Sequence, residues 1–346
     1  MPVGLGTLGI SPSEASTVIN EALSLGYRLF DCAPVYFNEK EIGDAFHEST
    51  SGVPRTDVFI TSKLASPFHR PEHVEPALRK TLNEFNFQMR QPTYSIDSLV
   101  NRRLQRLAYW VSGFVPHPLA SRELCSVFTA RAFKYVEFDP SARGWPDEEY
   151  AEIDESEGGA RIDPSVSIRD TWTAMERLVD KGLVKYIGVA NFPVMLLHDL
   201  LSYARIPPVV NQVEIHPYNQ QSKLLSYCKS RNVAVQAYSP LGLPSYKETG
   251  EPDLLLDPVL KEIAAAHGVT VAQVCLQWSL QRGYHVIVKS SKRNHLEENQ
   301  LVNHKNEFAS NPIRLTSEEM DRIASLDRNL RFTRPDDWWK DMPVFN

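Results

Sequence analysis

Along the chain, short apolar runs alternate with stretches in which apolar side chains recur every three or four positions, the patterns of buried strands and amphipathic helices. Val3 to Thr7 is predicted as a first strand, and Ser13 as the cap of a helix that runs to Leu25. Leu29 to Asp31 is a second strand, Asn38 opens a helix to about Glu48, Val58 to Lys63 is a third strand, and Glu72 to Phe85 a further helix. After a stretch with no legible pattern, Ile168 to Lys181 carries Trp172, Met175, Leu178 and Val179 at helical spacing and closes on Gly182. Strands at Tyr186 to Ala190, Val209 to Ile215, Ala234 to Tyr238 and Val286 to Lys289 then alternate with helices at Val194 to Tyr203, Gln221 to Ser230, Leu260 to His267 and Val271 to Arg282. Ser317 to Leu326 is a terminal helix.

Strand followed by helix, repeated with one gap where a further unit fits, predicts a parallel sheet closed by crossover helices. Eight such units make a (β/α)8 TIM barrel, an α/β fold, here expected as one domain over residues 1–346. The site of such a barrel is expected at the C-terminal ends of the strands. Asp31, Lys63, Asn191, Glu214, Tyr238 and Lys289 all fall at or near those ends. One polar residue there is chance; this many on one face argue for a site.

The opening Gly4-Leu5-Gly6-Thr7-Leu8-Gly9 satisfies the dinucleotide pattern Gly-x-Gly-x-x-Gly, but only Met1 to Val3 precede it. That motif needs a complete strand before it, so the glycines are read as allowing close packing of a first strand. The net charge of −6 leaves no basic footprint and argues against a nucleic-acid partner. No apolar run is long enough for a membrane helix and Met-Pro-Val-Gly is no signal peptide, so a cytoplasmic protein is expected. Cys32, Cys125, Cys228 and Cys275 are widely spaced, with neither a metal-ligand pattern nor a disulfide framework, and no metal is expected. Cys32, beside Asp31, is read as a buried thiol without a catalytic role.

The stretch Gly26 to Lys40 carries the candidate chemistry. Tyr-Arg-Leu-Phe-Asp is a strand, Asn38-Glu39-Lys40-Glu41 starts a helix, and Tyr36 lies in the loop between them. A free tyrosine is a poor acid at neutral pH, so an acid role needs a cation nearby, which Lys63 at the end of the next strand can supply. Asp31 can hold that lysine by an ion pair, and the three together form a proton-delivery relay for a developing alkoxide. A tyrosine packed on the barrel rim over a structural Asp-Lys pair is the competing interpretation. Tyr238 offers a flat ring for stacking, and Lys289-Ser290-Ser291-Lys292-Arg293 offers cations and hydroxyls for phosphate, although such a cluster is often only a solvated face.

Gly26 to Gly43 resembles the signature of the aldo-keto reductases. Val58 to Pro71, Ile187 to Phe192, Val210 to Tyr218, Gln236 to Gly242 and Val286 to Asn299 resemble later blocks of that family, in order. Ala132 to Val136 and the ending from Leu330 through Trp338 to Phe345 are most similar to the fungal and yeast D-xylose reductase type. The resemblance implies reduction of an aldose or other aldehyde by hydride from NADPH or NADH. Tyr36 would be the proton donor, with Lys63 lowering its pKa and Asp31 orienting Lys63. It further implies that Asn191 and Gln212 hold the carboxamide, Tyr238 stacks on the nicotinamide, and Ser239 and Leu241 join the cofactor site. Lys289, Ser290 and Ser291 would meet the adenosine phosphate, and Glu298 and Asn299 the adenine. The expected partner is a small carbonyl substrate, and the expected assembly a monomer or homodimer.

The chain departs from that family at several points. Leu8 stands where a tryptophan is usual, Ala190 where a serine flanks Asn191, and His295 where an arginine meets a 2'-phosphate. The segment 85–131 should hold a fourth strand carrying the His that polarises the carbonyl. Instead it shows no good buried strand, and Pro116 and Pro118 stand where a central strand should not have them. Codons chosen for the family strand, read two bases along, give Gly113 to Arg122, so a mistranslated block is expected, with His117 an accident of the other frame. The alternative is a local variant in which His117 serves from a rebuilt loop. The missing His favours, as an alternative function, a catalytically impaired nicotinamide-binding barrel; a general aldehyde or glycerol-type reductase of the same family, differing only in substrate, is a further alternative.

Overall fold

The computed structural model describes residues 3–65, 68–87, 123–129, 165–242, 250–300 and 313–333, and for 123–129 the backbone alone. Eight strands close a barrel in sequence order: β1 (Val3–Gly6), β2 (Leu29–Asp31), β3 (Phe59–Leu64), β4 (Glu123–Thr129), β5 (Tyr186–Ala190), β6 (Val210–Glu214), β7 (Ala234–Tyr238) and β8 (His285–Val288). Each pairs parallel with the next, and β8 returns to β1 through Val3 with Val286 and Leu5 with Val288. The helices are α1 (Ala15–Ser24), α2 (Glu39–His47), α3 (Pro71–Glu84), α4 (Ile168–Asp180), α5 (Val194–Tyr203), α6 (Ser222–Ser230), α7 (Pro258–His267), α8 (Val271–Gln281), α9 (Arg293–Gln300) and α10 (Ser317–Ala324). No single helix among the described residues is long and apolar enough to cross a membrane.

The fourth strand corrects the expectation of a gap. Glu123 to Thr129 runs parallel to β3 from Phe59–Glu123 to Leu64–Phe128, and to β5 from Cys125–Tyr186 to Thr129–Ala190, so both neighbours keep their ladder partners. The two prolines precede this strand and do not interrupt it. Polar residues at Glu123, Ser126 and Thr129 break its apolar run and hid it from a search for a continuous buried strand. The short helix α9 was also unforeseen, because Leu296 is its lone apolar residue and its period is masked by polar side chains.

The glycines at the start of the chain do pack closely. A Cβ on Gly4 would lie 2.6 Å from Ile287 Cδ1 and 2.8 Å from Leu29, on the strands that flank β1. Gly43 matters more for the site. A Cβ there would sit 2.5 Å from Phe85 Cα, so only glycine lets α2 lie against the end of α3. Those two helices follow the strands that carry Asp31 and Lys63. Thr171 and Trp172 in α4 are buried, Thr171 Oγ1 donating to His69 O and Trp172 Nε1 to Ile206 O, which locks that helix to the loops on either side.

Two expected caps are not made. Ser13 does not cap α1, whose N-cap position is Glu14. Asn38 stands at the N-cap of α2 but donates instead to Thr7 O and Ile10 O, both at 2.9 Å, and so ties the loop bearing Tyr36 to the loop after β1.

Candidate active site

At the C-terminal end of the barrel, Asp31 closes β2 and Lys63 stands one residue before the end of β3. Between β2 and α2 the chain makes a single turn of 3-10 helix, Pro34–Tyr36, whose proline presets its start, and this turn presents the tyrosine. Lys63 Nζ donates to Asp31 Oδ2 at 2.7 Å, to Tyr36 OH at 3.1 Å and to Cys32 O at 3.1 Å. All three ammonium protons are therefore used. The lysine side chain is only 12% exposed and that of Asp31 5%, so water does little to screen the pair.

Burial alone would lower the Lys63 ammonium, but the Asp31 carboxylate and the Tyr36 hydroxyl oppose it, and the net result lies well above the ordinary lysine range. For Tyr36, burial pushes the hydroxyl up, the Lys63 charge pulls it down, and Asp31 pushes it up again. The balance is a raised value. Lys63 does act in the direction the resemblance implied, yet burial outweighs it, and Tyr36 stays protonated at neutral pH. A group with its proton in place can act as an acid. Cys32 is buried, as expected, and burial pushes its thiol far up. Cys228 and Cys275 are likewise free and buried, and Cys125 has no described side chain.

Behind the relay lies a buried carboxylate that the sequence marked only as a helix start. Glu39 accepts from Ser62 Oγ at 2.5 Å and from Thr81 Oγ1 at 3.1 Å, and so joins α2, β3 and α3. Burial is the main cause that raises its carboxyl from 4.5 to about 7. The two hydroxyl donors and the Lys63 charge lower it, and the Glu84 charge raises it. Between pH 4.5 and about 7 the folded state holds a proton that the unfolded chain has released, so stability falls as pH rises through that window. Glu39→Gln, which keeps an acceptor and a donor in place, should abolish this drift. Urea unfolding is expected to find the variant equal to the parent near pH 5 and more stable by up to about 3 kcal/mol near pH 8. Parallel pH profiles for the two proteins would refute it.

On the opposite wall, Gln212 lies on β6, Tyr238 ends β7, and Asn191 follows β5 in a left-handed backbone conformation, φ 58°. Tyr238 OH donates to Asn191 Oδ1 at 3.1 Å, which fixes the amide beside the ring. Gln212 Nε2 donates to Asp31 Oδ1 at 2.7 Å, a link that joins this wall to the relay. Ser239 has φ 49° and Leu241 packs partly on the core, both in the turn that leaves β7. Glu214, fully buried at the end of β6, accepts from the backbone N–H of Phe332 at 2.7 Å and of Thr333 at 3.1 Å, with His216 Nε2 2.9 Å from its Oε1. This clasp holds the chain beyond α10 against the barrel mouth. The sequence placed Glu214 at a strand end but offered no partner for it.

After β8, Lys289 is exposed and Ser290 buried, and Ser290 Oγ accepts from Lys292 N at 3.0 Å just before α9. Ser291 is half-buried, and Lys292, Arg293 and His295 are exposed around the start of that helix. Asn299 is buried on its inner face, while the Glu298 carboxylate already accepts from Thr270 Oγ1. Tyr36, Lys63, Asp31, Gln212, Asn191 and Tyr238 thus gather at one mouth. The Lys289-to-Asn299 group forms a second cluster at the end of the neighbouring strand. His117 and the segment Ala132 to Val136 lie outside the described residues.

A model described as the aldo/keto reductase family matches residues 1–95 and 159–328. The chain belongs to the aldo/keto reductase family. Members of this family reduce a carbonyl with hydride from NADPH or NADH. Similar proteins include an aldo/keto reductase of a Synechocystis strain, 37% identical, over 97% of this chain and 88% of its own. The NADPH-dependent aldose reductase of Saccharomyces cerevisiae is 36% identical, over 97% of this chain and 93% of its own. The NAD(P)H-dependent D-xylose reductase of Kluyveromyces lactis is 34% identical, over 99% and 94%. Among solved structures, the aldose reductase of Giardia lamblia superposes with a TM-score of 0.76 at 32% identity, covering 100% of this chain and 98% of its own. The family match is interrupted over 96–158, which spans most of the anomalous segment.

The residues present fit a nicotinamide dinucleotide. Gln212 Oε1 and the amide of half-buried Asn191 are polar groups at the mouth, and among the described residues none donates to Gln212 Oε1. The exposed cations Lys289, Lys292 and Arg293 and the first N–H groups of α9 would be available to a phosphate.

Proposed function

We propose that this aldo/keto reductase reduces the aldehyde carbon of an aldose or another small aldehyde, with Tyr36 as the proton donor. The observation that carries the proposal is the relay of buried Asp31 with half-buried Lys63 and Tyr36, at 2.7 and 3.1 Å. When bound, the nicotinamide supplies a hydride to the carbonyl carbon. The carbonyl oxygen then takes the proton of Tyr36, and the charge that develops on the phenol oxygen is met by the Lys63 ammonium already bonded to it. Asp31 holds Lys63 charged and in place. Asn191 and Gln212 would hold the carboxamide, and Tyr238, Ser239 and Leu241 the nicotinamide ring and its neighbourhood. Lys289, Ser290 and Ser291 would meet the adenosine phosphate, with Asn299 and Glu298 toward the adenine. Lys292 or Arg293 would meet the 2'-phosphate in place of the arginine that the family carries at the position of His295, and NADPH or NADH would be the cofactor.

The yeast relatives named for aldose and D-xylose support a sugar aldehyde as substrate. Leu8, Val35 and Phe37 are exposed on loops at the same end of the barrel and would give the substrate an apolar rim. Purified protein mixed with NADPH is expected to oxidise it, followed by nicotinamide absorbance, with glyceraldehyde and with xylose. A second reading is favoured by the interruption at 96–158, where the family's His belongs: a barrel that binds nicotinamide without turnover. Binding of NADPH with no oxidation by either substrate would establish that reading in place of the reductase. A cytoplasmic location and a monomer or homodimer belong to the same proposal.

A further inference from the structure

Gln212 leaves β6 and meets Asp31 on β2, the strand diametrically across the ring. Its Nε2 donates to Asp31 Oδ1 at 2.7 Å and to Gln236 Oε1 at 2.5 Å. Both protons of that amide are thereby committed. A carboxylate only accepts, so the Gln212 atom facing Asp31 must be nitrogen, and the Gln236 atom facing that nitrogen must be oxygen. On Gln212 only the acceptor Oε1 is left for a ligand.

Gln236 lies beside Gln212 in register on β7 and points inward with Tyr238, two positions further on. It is 5% exposed, and Gln212 3%, so bulk water cannot take its place. We propose that Gln236 is a positioning residue of the reductase: by accepting the second Gln212 proton it fixes Gln212 as an acceptor toward the carboxamide and keeps Asp31 bonded on its Oδ1 side. The proposal rests on the carboxamide role given to Gln212 above. Without Gln236 the amide keeps one buried N–H unpaired, and rotating it would set Oε1 against the Asp31 carboxylate. Neither state offers the ligand what the parent offers. A carboxamide NH2 that can donate finds an acceptor fixed in place only when Gln236 is present.

Gln236→Met has about the same length and no acceptor. It is expected to weaken NADPH binding, read by quenching of protein fluorescence, by about tenfold or more. Gln236→Glu keeps an acceptor oxygen at the same reach and should bind within about threefold of the parent, since a single preserved hydrogen bond sets the difference. A Met variant that loses unfolding stability in urea yet keeps the parent Kd would show a merely structural residue and overturn the proposal. If Gln236→Met does not fold, Gln236→Thr, whose hydroxyl is too short to reach Gln212, is measured in its place with the same expectation and the same refutation. The readout is binding and needs no turnover. A barrel that proves unable to reduce any aldehyde would sink the proposed function and leave the Gln236 result to stand or fall by its own Kd.

Discussion

Tyr36→Phe is expected to lower kcat for aldehyde reduction by two to four orders of magnitude, roughly the contribution of a positioned general acid. NADPH should bind this variant with the parent Kd, because the Tyr36 hydroxyl faces Lys63 and no described cofactor candidate. The substitution removes one oxygen and leaves the ring, over which Lys63 Nζ sits 5.0 Å from the centroid, so the fold has little reason to change. What disappears is the proton that neutralises the developing alkoxide. Since burial raises the hydroxyl despite the pull of Lys63, the parent keeps that proton throughout the neutral range. Its kcat should therefore stay flat near pH 7 and fall only as the phenol ionises at alkaline pH. A Phe variant that turns over within a few-fold of the parent would remove Tyr36 from the chemistry and leave it the rim-packing role.

Lys63→Met is expected to act on stability as well as on rate. It strips the cation from a pair whose side chains are 12% and 5% exposed and leaves the Asp31 carboxylate buried with Gln212 as its remaining donor. Breaking a buried pair by removing one partner costs about 3–5 kcal/mol, because the surviving charge keeps its desolvation penalty. Urea unfolding at neutral pH should show a loss of that order. Adding Asp31→Asn should return much of it, since the orphan charge goes with the second substitution, while turnover remains lost in the double variant. Equal losses in the single and double variants would mean that the pair does not carry the energy assigned to it here. The sign of the Lys63 shift agrees with this expectation: its ammonium is held above the ordinary range in the folded state, so the charged pair adds stability at neutral pH that fades only at strongly alkaline pH.

These two residues illustrate how far local sequence reached. Asp31 and Tyr36 are five positions apart on one strand and its loop, and Lys63 is near the end of the next strand, so a strand period and a turn suffice to bring them together. Gln236 and Glu39 were legible only as types in a block. The usable signal for Gln236 was its parity with Tyr238 on an inward face, where an amide has no reason to be unless it is paired. For Glu39 it was a carboxylate in the first turn of a helix whose neighbours Ile42 and Ala45 are core. The polar residues that interrupt β4 left no such signal, because a strand flanked by strands on both sides is recognised by its partners as much as by its own pattern.

The sequence by itself determined the alternation of strands and helices and the barrel class, which depend on periods of a few residues; its blocks resembled the aldo-keto reductases, and it offered Asp31, Tyr36 and Lys63 as a relay because they lie a strand end and a turn apart. Only the tertiary structure decided that Glu123 to Thr129 completes the ring, that Gln212 reaches Asp31 across 181 residues of chain, and that Glu214 clasps Phe332 at a separation of 118. Closing eight strands brings side chains from opposite strands to one mouth. Which atoms then meet is set by register and strand tilt, quantities of the whole barrel that no local stretch contains.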